Sequence, residues 1–128
     1  MTPERRKLRR AELIQRIRSV ERMQSVAAAS EAEATRARLF GVAERTRSLA
    51  AHYAQREGDI VGADLRSGKA MGDQLQRLTE LSERQAKEAE LQSQAKREVL
   101  AQSDMRLRKA KESRRDLVRQ IVASLEKG

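Results

Sequence analysis

The sequence predicts an all-α fold, a long antiparallel two-helix coiled-coil hairpin with a short irregular Gly-containing turn region. Three observations carry that expectation. Four of the six glycines, Gly58, Gly62, Gly68 and Gly72, fall within the stretch 57–72, and each costs about 1 kcal/mol in a helix interior. On either side lies an arm of nearly equal length without an internal proline. From Leu75 onward, apolar and small residues recur in unbroken steps of four and three, the spacing of a coiled-coil seam. The expected organisation is one hairpin over 1–128, with arm one at about 3–56, the turn region at about 57–72 and arm two at about 70–126.

The first arm has a clear start. Thr2 can cap it, Pro3 suits the first helical position, and Glu4 sits well at the positive end of the helix dipole. Its apolar row begins with Leu13, Ile17 and Val20 and continues through Met23, Ala27, Ser30, Ala34, Ala37 and Gly41. A second row, Leu39, Val42, Thr46, Leu49 and Tyr53, then takes over in shifted register. Within the interruption, Asp59 to Arg66 can form a short helical turn, with Ser67 capping the second arm.

The second arm is more regular. Its seam reads Leu75, Thr79, Ser82, Ala86, Ala89, Ser93, Lys96, Leu100, Ser103, Leu107, Ala110, Arg114, Leu117, Ile121 and Ser124. Small seam residues let two helices approach closely but bury little area, whereas a fully buried Leu stabilises by roughly 1.5–3 kcal/mol. With four leucines and one isoleucine in this seam, the isolated hairpin is expected to be marginally stable. Matching arms favour an intramolecular pair, with residues near Leu13–Val20 beside those near Leu117–Leu125. A long parallel dimer is the alternative.

Composition agrees with exposed helices. Charged residues make up 37% of the 128 and aromatics 2%, with Phe40 and Tyr53 alone of their kinds and no Trp. That is too few aromatics for the core of a compact globule. The net charge of +9 is clustered: residues 1–30 carry eight Lys and Arg against three Asp and Glu, and residues 105–128 carry the same numbers. Folding the arms together brings both +5 blocks to one end, which points to an acidic partner there. A solvated charged face is the plain alternative.

Several chemistries find no support. Without cysteine there is no disulfide, thiolate or Cys-metal site. The start Arg5-Arg6-Lys7-Leu8-Arg9-Arg10 lacks the apolar region of a secretory signal, and no run approaches 18 apolar residues, so cytoplasmic residence is expected. The segment Gly62–Ala70 superficially resembles a phosphate-binding loop but has five residues between its glycines and Ala70 in place of Ser or Thr. His52 is the only histidine and no second ligand type clusters with it. No carboxylate pair has a pocket to hold it dry, so the expectation is a non-enzyme without cofactor.

Two surfaces remain. One is the basic tip, Arg5, Arg6, Lys7, Arg9, Arg10, Arg16 and Arg18 with Arg106, Arg108, Lys109, Lys111, Arg114, Arg115 and Arg119. The other follows the turn, where Met71, Leu75 and Leu78 at i, i+4 and i+7, with Leu81 beside them, form a helix face suited to a peptide or groove. Packing of Met71 and Leu78 against Leu49 and Tyr53 is the structural alternative.

A charged N-terminal helix, a Gly-containing break near the middle, and the apolar, Gln-rich restart Met71-Gly-Asp-Gln-Leu-Gln-Arg-Leu-Thr-Glu-Leu together resemble the flagellar type III export stalk proteins (the FliJ family) and their injectisome counterparts. The resemblance covers nearly the whole chain and is architectural more than motif-based. It implies bacterial flagellum biogenesis and type III protein export. The chain would act in the central pore of a hexameric export ATPase and contact the export gate's cytosolic domain and the export chaperones. It would reside in the cytoplasm, peripheral to the inner-membrane export apparatus. By position, the joined termini would enter the ring through Arg5, Arg6, Arg9, Arg10, Arg16, Arg106, Arg108, Arg114, Arg115 and Arg119. Met71, Leu75 and Leu78 would match the gate contact, with Ser82 at the next place, where the family pattern is not clearly matched. The rival readings are a basic coiled coil that binds nucleic-acid phosphates, with affinity falling steeply with salt, and a dimeric scaffold.

Overall fold

The computed structural model describes the backbone of residues 2–57 and 64–127. Two α-helices account for it, α1 over Pro3–Glu57 and α2 over Asp64–Lys127, packed against each other as a helical hairpin. No strand occurs among the described residues. The start of α1 is built as its sequence suggests. The Arg5 amide donates to Thr2 Oγ1 at 3.3 Å and the Arg6 amide to the Thr2 carbonyl at 3.1 Å, while Pro3 opens the helix where no amide donor is needed.

The interruption is shorter than the glycines suggest. Helix α2 begins at Asp64, ahead of the expected residue 70, so Gly68 and Gly72 are helical and Ser67 lies inside the helix instead of capping it. Gly68 is buried and Gly72 half-buried, because together they extend the seam of α2 by two steps before Leu75. Helices in proteins draw most of their stability from packing, which here outweighs a propensity cost of about 1 kcal/mol per glycine. Gly58, Gly62 and the start of the Asp59–Arg66 turn lie outside the described residues.

The chain divides into two compact units, each taking a piece of both helices: residues 31–94, the inner unit, and residues 1–30 with 95–128, the terminal unit. In the inner unit, Leu75, Ser82, Ala89 and Ser93 of α2 are buried, as are Ala43 and Thr46 of α1. Ser93 is fully enclosed and donates to Glu33 at 3.0 Å. Thr46, Thr79 and Ser82 bond back to the carbonyls of Val42, Leu75 and Leu78 at 2.7, 2.8 and 2.8 Å, so seam hydroxyls carry no unmet polar cost. Arg47 bridges to Glu83 at 2.7 Å and Arg36 to Glu90 at 3.4 Å, which fixes the two pieces as antiparallel.

In the terminal unit the buried positions are Ala11 and Ala29 of α1 and Ser103, Leu107 and Ala110 of α2. Ser25 and Ser103 share a hydrogen bond at 2.8 Å, Arg22 pairs with Asp104, and Arg114 reaches Glu12 at 3.9 Å. This register sets Leu13–Val20 level with the chain between Asp104 and Arg114. The expected neighbours Leu117–Leu125 lie further along α2.

The α2 seam therefore follows the sequence pattern, except that the long polar residues Lys96 and Arg114 and the near-terminal Ser124 are exposed. The first arm corrects the expectation. Its packed row runs Leu8, Ala11, Gln15, Arg18, Arg22, Ser25 and Ala29 in the terminal unit, and Ala32, Arg36, Leu39, Ala43, Thr46, Ala50 and Tyr53 in the inner one; Arg22 alone of these is exposed. The expected row is turned outward, with Leu13, Ile17, Val20 and Met23 exposed by 50%, 56%, 53% and 69%. Ala27, Ser30, Ala34 and Ala37 are also exposed. Of the second row, Thr46 is buried, Leu39, Val42 and Tyr53 are half-buried, and Leu49 is exposed. Partners on α2 explain the choice: from the packed row Arg22 pairs with Asp104, Ser25 bonds to Ser103 and Arg36 reaches Glu90, while Ala11, Ala29 and Ala43 supply small buried positions where the helices approach closely.

Candidate interaction surfaces

The basic tip is assembled from both ends of the chain. Arg5, Arg6, Arg9, Arg10 and Arg16 of α1 and Arg106, Arg108, Arg114, Arg115 and Arg119 of α2 all belong to the terminal unit, and all ten are exposed. Apart from Arg114, which meets Glu12 at 3.9 Å, none of these ten has an ion-pair partner among the described residues. Arg18 is the exception in the wider set, bound to Glu21 of its own helix at 2.9 Å.

One part of this unit is concave. A cleft of about 480 Å³ is lined by Gln15, Lys111, Arg114, Arg115, Val118 and Arg119. Its origin lies in the seam, where Gln15 and Arg114 occupy packing positions that neither can close as an apolar pair would. Gln15 Oε1 is buried there without a hydrogen-bond partner. Two cations of the inner unit are held by carboxylates. Hydrogen bonding and charge from Glu33, aided by Glu90, raise the Arg36 pKa above its usual value. Glu83, assisted by Glu44, does the same for Arg47. Both guanidiniums therefore stay charged at neutral pH.

The apolar set after the turn is divided. Leu75 is a seam residue, 9% exposed, whereas Met71 and Leu78 are 46% and 48% exposed and Leu81 is 44% exposed. The surface on offer is therefore Met71, Leu78 and Leu81, with Leu75 positioning their helix from behind. Leu49, 54% exposed, does not cover them as a core residue would.

Other candidates recede. His52 is exposed, and no group of metal-ligating side chains occurs among the described residues. No helix of the described residues is long and apolar enough to cross a membrane. The surface that sequence reasoning missed is the outer face of α1 at Leu13, Ile14, Ile17, Val20 and Met23. The row itself is plain in the sequence but reads there as the packed one; the row that packs in its place carries Gln15, Arg18 and Arg22 and has no hydrophobic signal. Comparison with known proteins gives no match to a family model, a curated protein or a solved structure.

Proposed function

We propose that this chain is a non-enzymatic stalk and assembly factor of a flagellar-type protein export ATPase. Its joined termini would insert into the hexameric ring, and the region after the turn would reach the export gate's cytosolic domain and the chaperones. The observation that carries the proposal is the placement of charge. The terminal unit holds eighteen Lys and Arg against eight Asp and Glu, net +10, and the inner unit ten against eleven, net −1. Exposed arginines lacking internal partners are poised for acidic loops of a surrounding ring, where complementarity speeds encounter and fixes register. The protein would then work in the cytoplasm, peripheral to the inner-membrane export apparatus.

A basic nucleic-acid-binding coiled coil is the second reading, favoured by the Lys111, Arg114, Arg115 and Arg119 cleft. The near-absence of aromatics removes base stacking, so such binding would go to backbone phosphates.

The deciding experiment replaces Arg5, Arg6, Arg9 and Arg10 with Glu together. Single exposed charges contribute about 1 kcal/mol or less, so the quadruple change is the informative one. On the stalk reading, stimulation of the ATPase collapses while helix content is unchanged. Loss of DNA retention with a flattened salt slope, and no ATPase effect, would establish the second reading instead.

A further inference from the structure

An apolar row at coiled-coil spacing stands uncovered on the outside of α1. Leu13, Ile17, Val20, Met23, Ala27 and Ser30 follow one another in steps of four or three. Leu13 lies two residues from each of the packed residues Ala11 and Gln15, about 200° around the helix from either, so it faces away from α2. Ile14, 43% exposed, widens the row. At the same levels the packed face holds Gln15, Arg18 and Arg22. The usual amphipathic order is thus inverted, with aliphatic side chains in solvent and polar ones against the neighbouring helix. Contiguous exposed aliphatic residues on a chain this polar mark an interaction surface.

We infer that this row is a second coiled-coil seam of α1, occupied by an amphipathic helix of another protein whose flanks are acidic. The spacing identifies a helix as the occupant, because steps of four and three are what a partner helix needs to set its knobs into holes. The row also tapers from Leu13, Ile17 and Val20 to Ala27 and Ser30. Small residues admit a close helix backbone, whereas against lipid they would contribute little burial. The flanks identify the charge. Arg9, Arg10 and Arg16 border the aliphatic end, exposed and without ion-pair partners among the described residues, and call for carboxylates opposite. A second copy of this chain is the wrong partner, since it would place one +10 unit against another. This surface shares Arg9, Arg10 and Arg16 with the basic tip invoked above, but its aliphatic row Leu13, Ile17 and Val20 plays no part in the ring reading, so the two fail separately.

The test uses the full chain and two synthetic four-heptad helices with Leu seams, one flanked by Glu and the other by Lys. The Glu-flanked helix is expected to bind, and the Lys-flanked one not. Combining Leu13→Gln, Ile17→Gln and Val20→Gln should weaken binding at least about tenfold, a loss of about 1.4 kcal/mol, with melting and helicity unchanged. A second variant, Arg9→Glu with Arg16→Glu, should reverse the preference between the helices, which keeps the test sound even if the first variant folds poorly. Equal binding of both helices, or full binding by the triple variant, overturns the inference. So does a dimer of the parent chain that the triple variant converts to monomer. Capture of the parent, but not the variant, on phosphatidylglycerol vesicles without helix binding would assign the row to lipid and overturn it too.

Discussion

The inner and terminal units are cut from the same two helices yet differ in net charge and in how their seams close. In the inner unit, Arg36 and Arg47 are bound across the seam by Glu90 and Glu83, and buried Ala43, Thr46, Ser82, Ala89 and Ser93 close it. In the terminal unit the seam itself carries Gln15, Arg18, Arg22 and Arg114, and a cleft opens between Gln15 and Arg114. Leu13, Ile14, Ile17 and Val20 face solvent on α1, and Val118, Val122 and Leu125 do so on α2, at 40%, 48% and 73% exposure. The inner unit closes its seam but leaves Phe40, Leu49, Met71, Leu78, Leu81 and Leu91 exposed outside it. The terminal unit carries polar residues in the seam itself and a net charge of +10 against −1. Sequences depart from self-consistent packing mainly where function asks for it, and the unpartnered Gln15 Oε1 puts one such departure in the terminal unit.

A leucine placed in each seam should give opposite signs. Ser93→Leu in the inner unit forces a large side chain into a fully enclosed position and displaces its bond to Glu33. Overpacking of this kind costs about 1–3 kcal/mol, and the lost bond adds to it, so the denaturant midpoint should fall sharply. An unchanged midpoint would show that the inner seam is looser than its burial implies. In the terminal unit, Gln15→Leu removes a buried acceptor without a partner and supplies the apolar side chain that the packed row lacks. Stability should rise by about 1 kcal/mol, and a fall in melting temperature would remove the distinction between the units.

The smallest effect concerns the outer face of α1 within the inner unit. A Cβ at Gly41 would meet nothing within 4 Å, so Gly41→Ala meets no steric opposition. It should stabilise by about 0.5–1 kcal/mol through helix propensity alone. Destabilisation, read by calorimetry, would mean that this face is covered in solution.

Much of this architecture was legible before any coordinate. The break among the glycines, the Thr2–Pro3 start and the seam of α2 from Leu75 to Ile121 were readable because local spacing and small-residue chemistry dictate them. The clustering of basic residues at both chain ends was readable for the simpler reason that charge is counted directly. The face of α1 that packs was not. Two rows with coiled-coil spacing compete on that helix, and hydrophobicity alone favours Leu13, Ile17 and Val20. The decision rests on what meets across the seam: Arg22, Ser25 and Arg36 find Asp104, Ser103 and Glu90 on α2, and Ala11, Ala29 and Ala43 take buried positions between them. Packing likewise carried Gly68 and Gly72 into α2 against their propensity, and it divided the apolar set after the turn, keeping Leu75 in the seam and leaving Met71 and Leu78 exposed. Spacing along one chain determines which faces a helix has, but only the partner's shape determines which of them is buried.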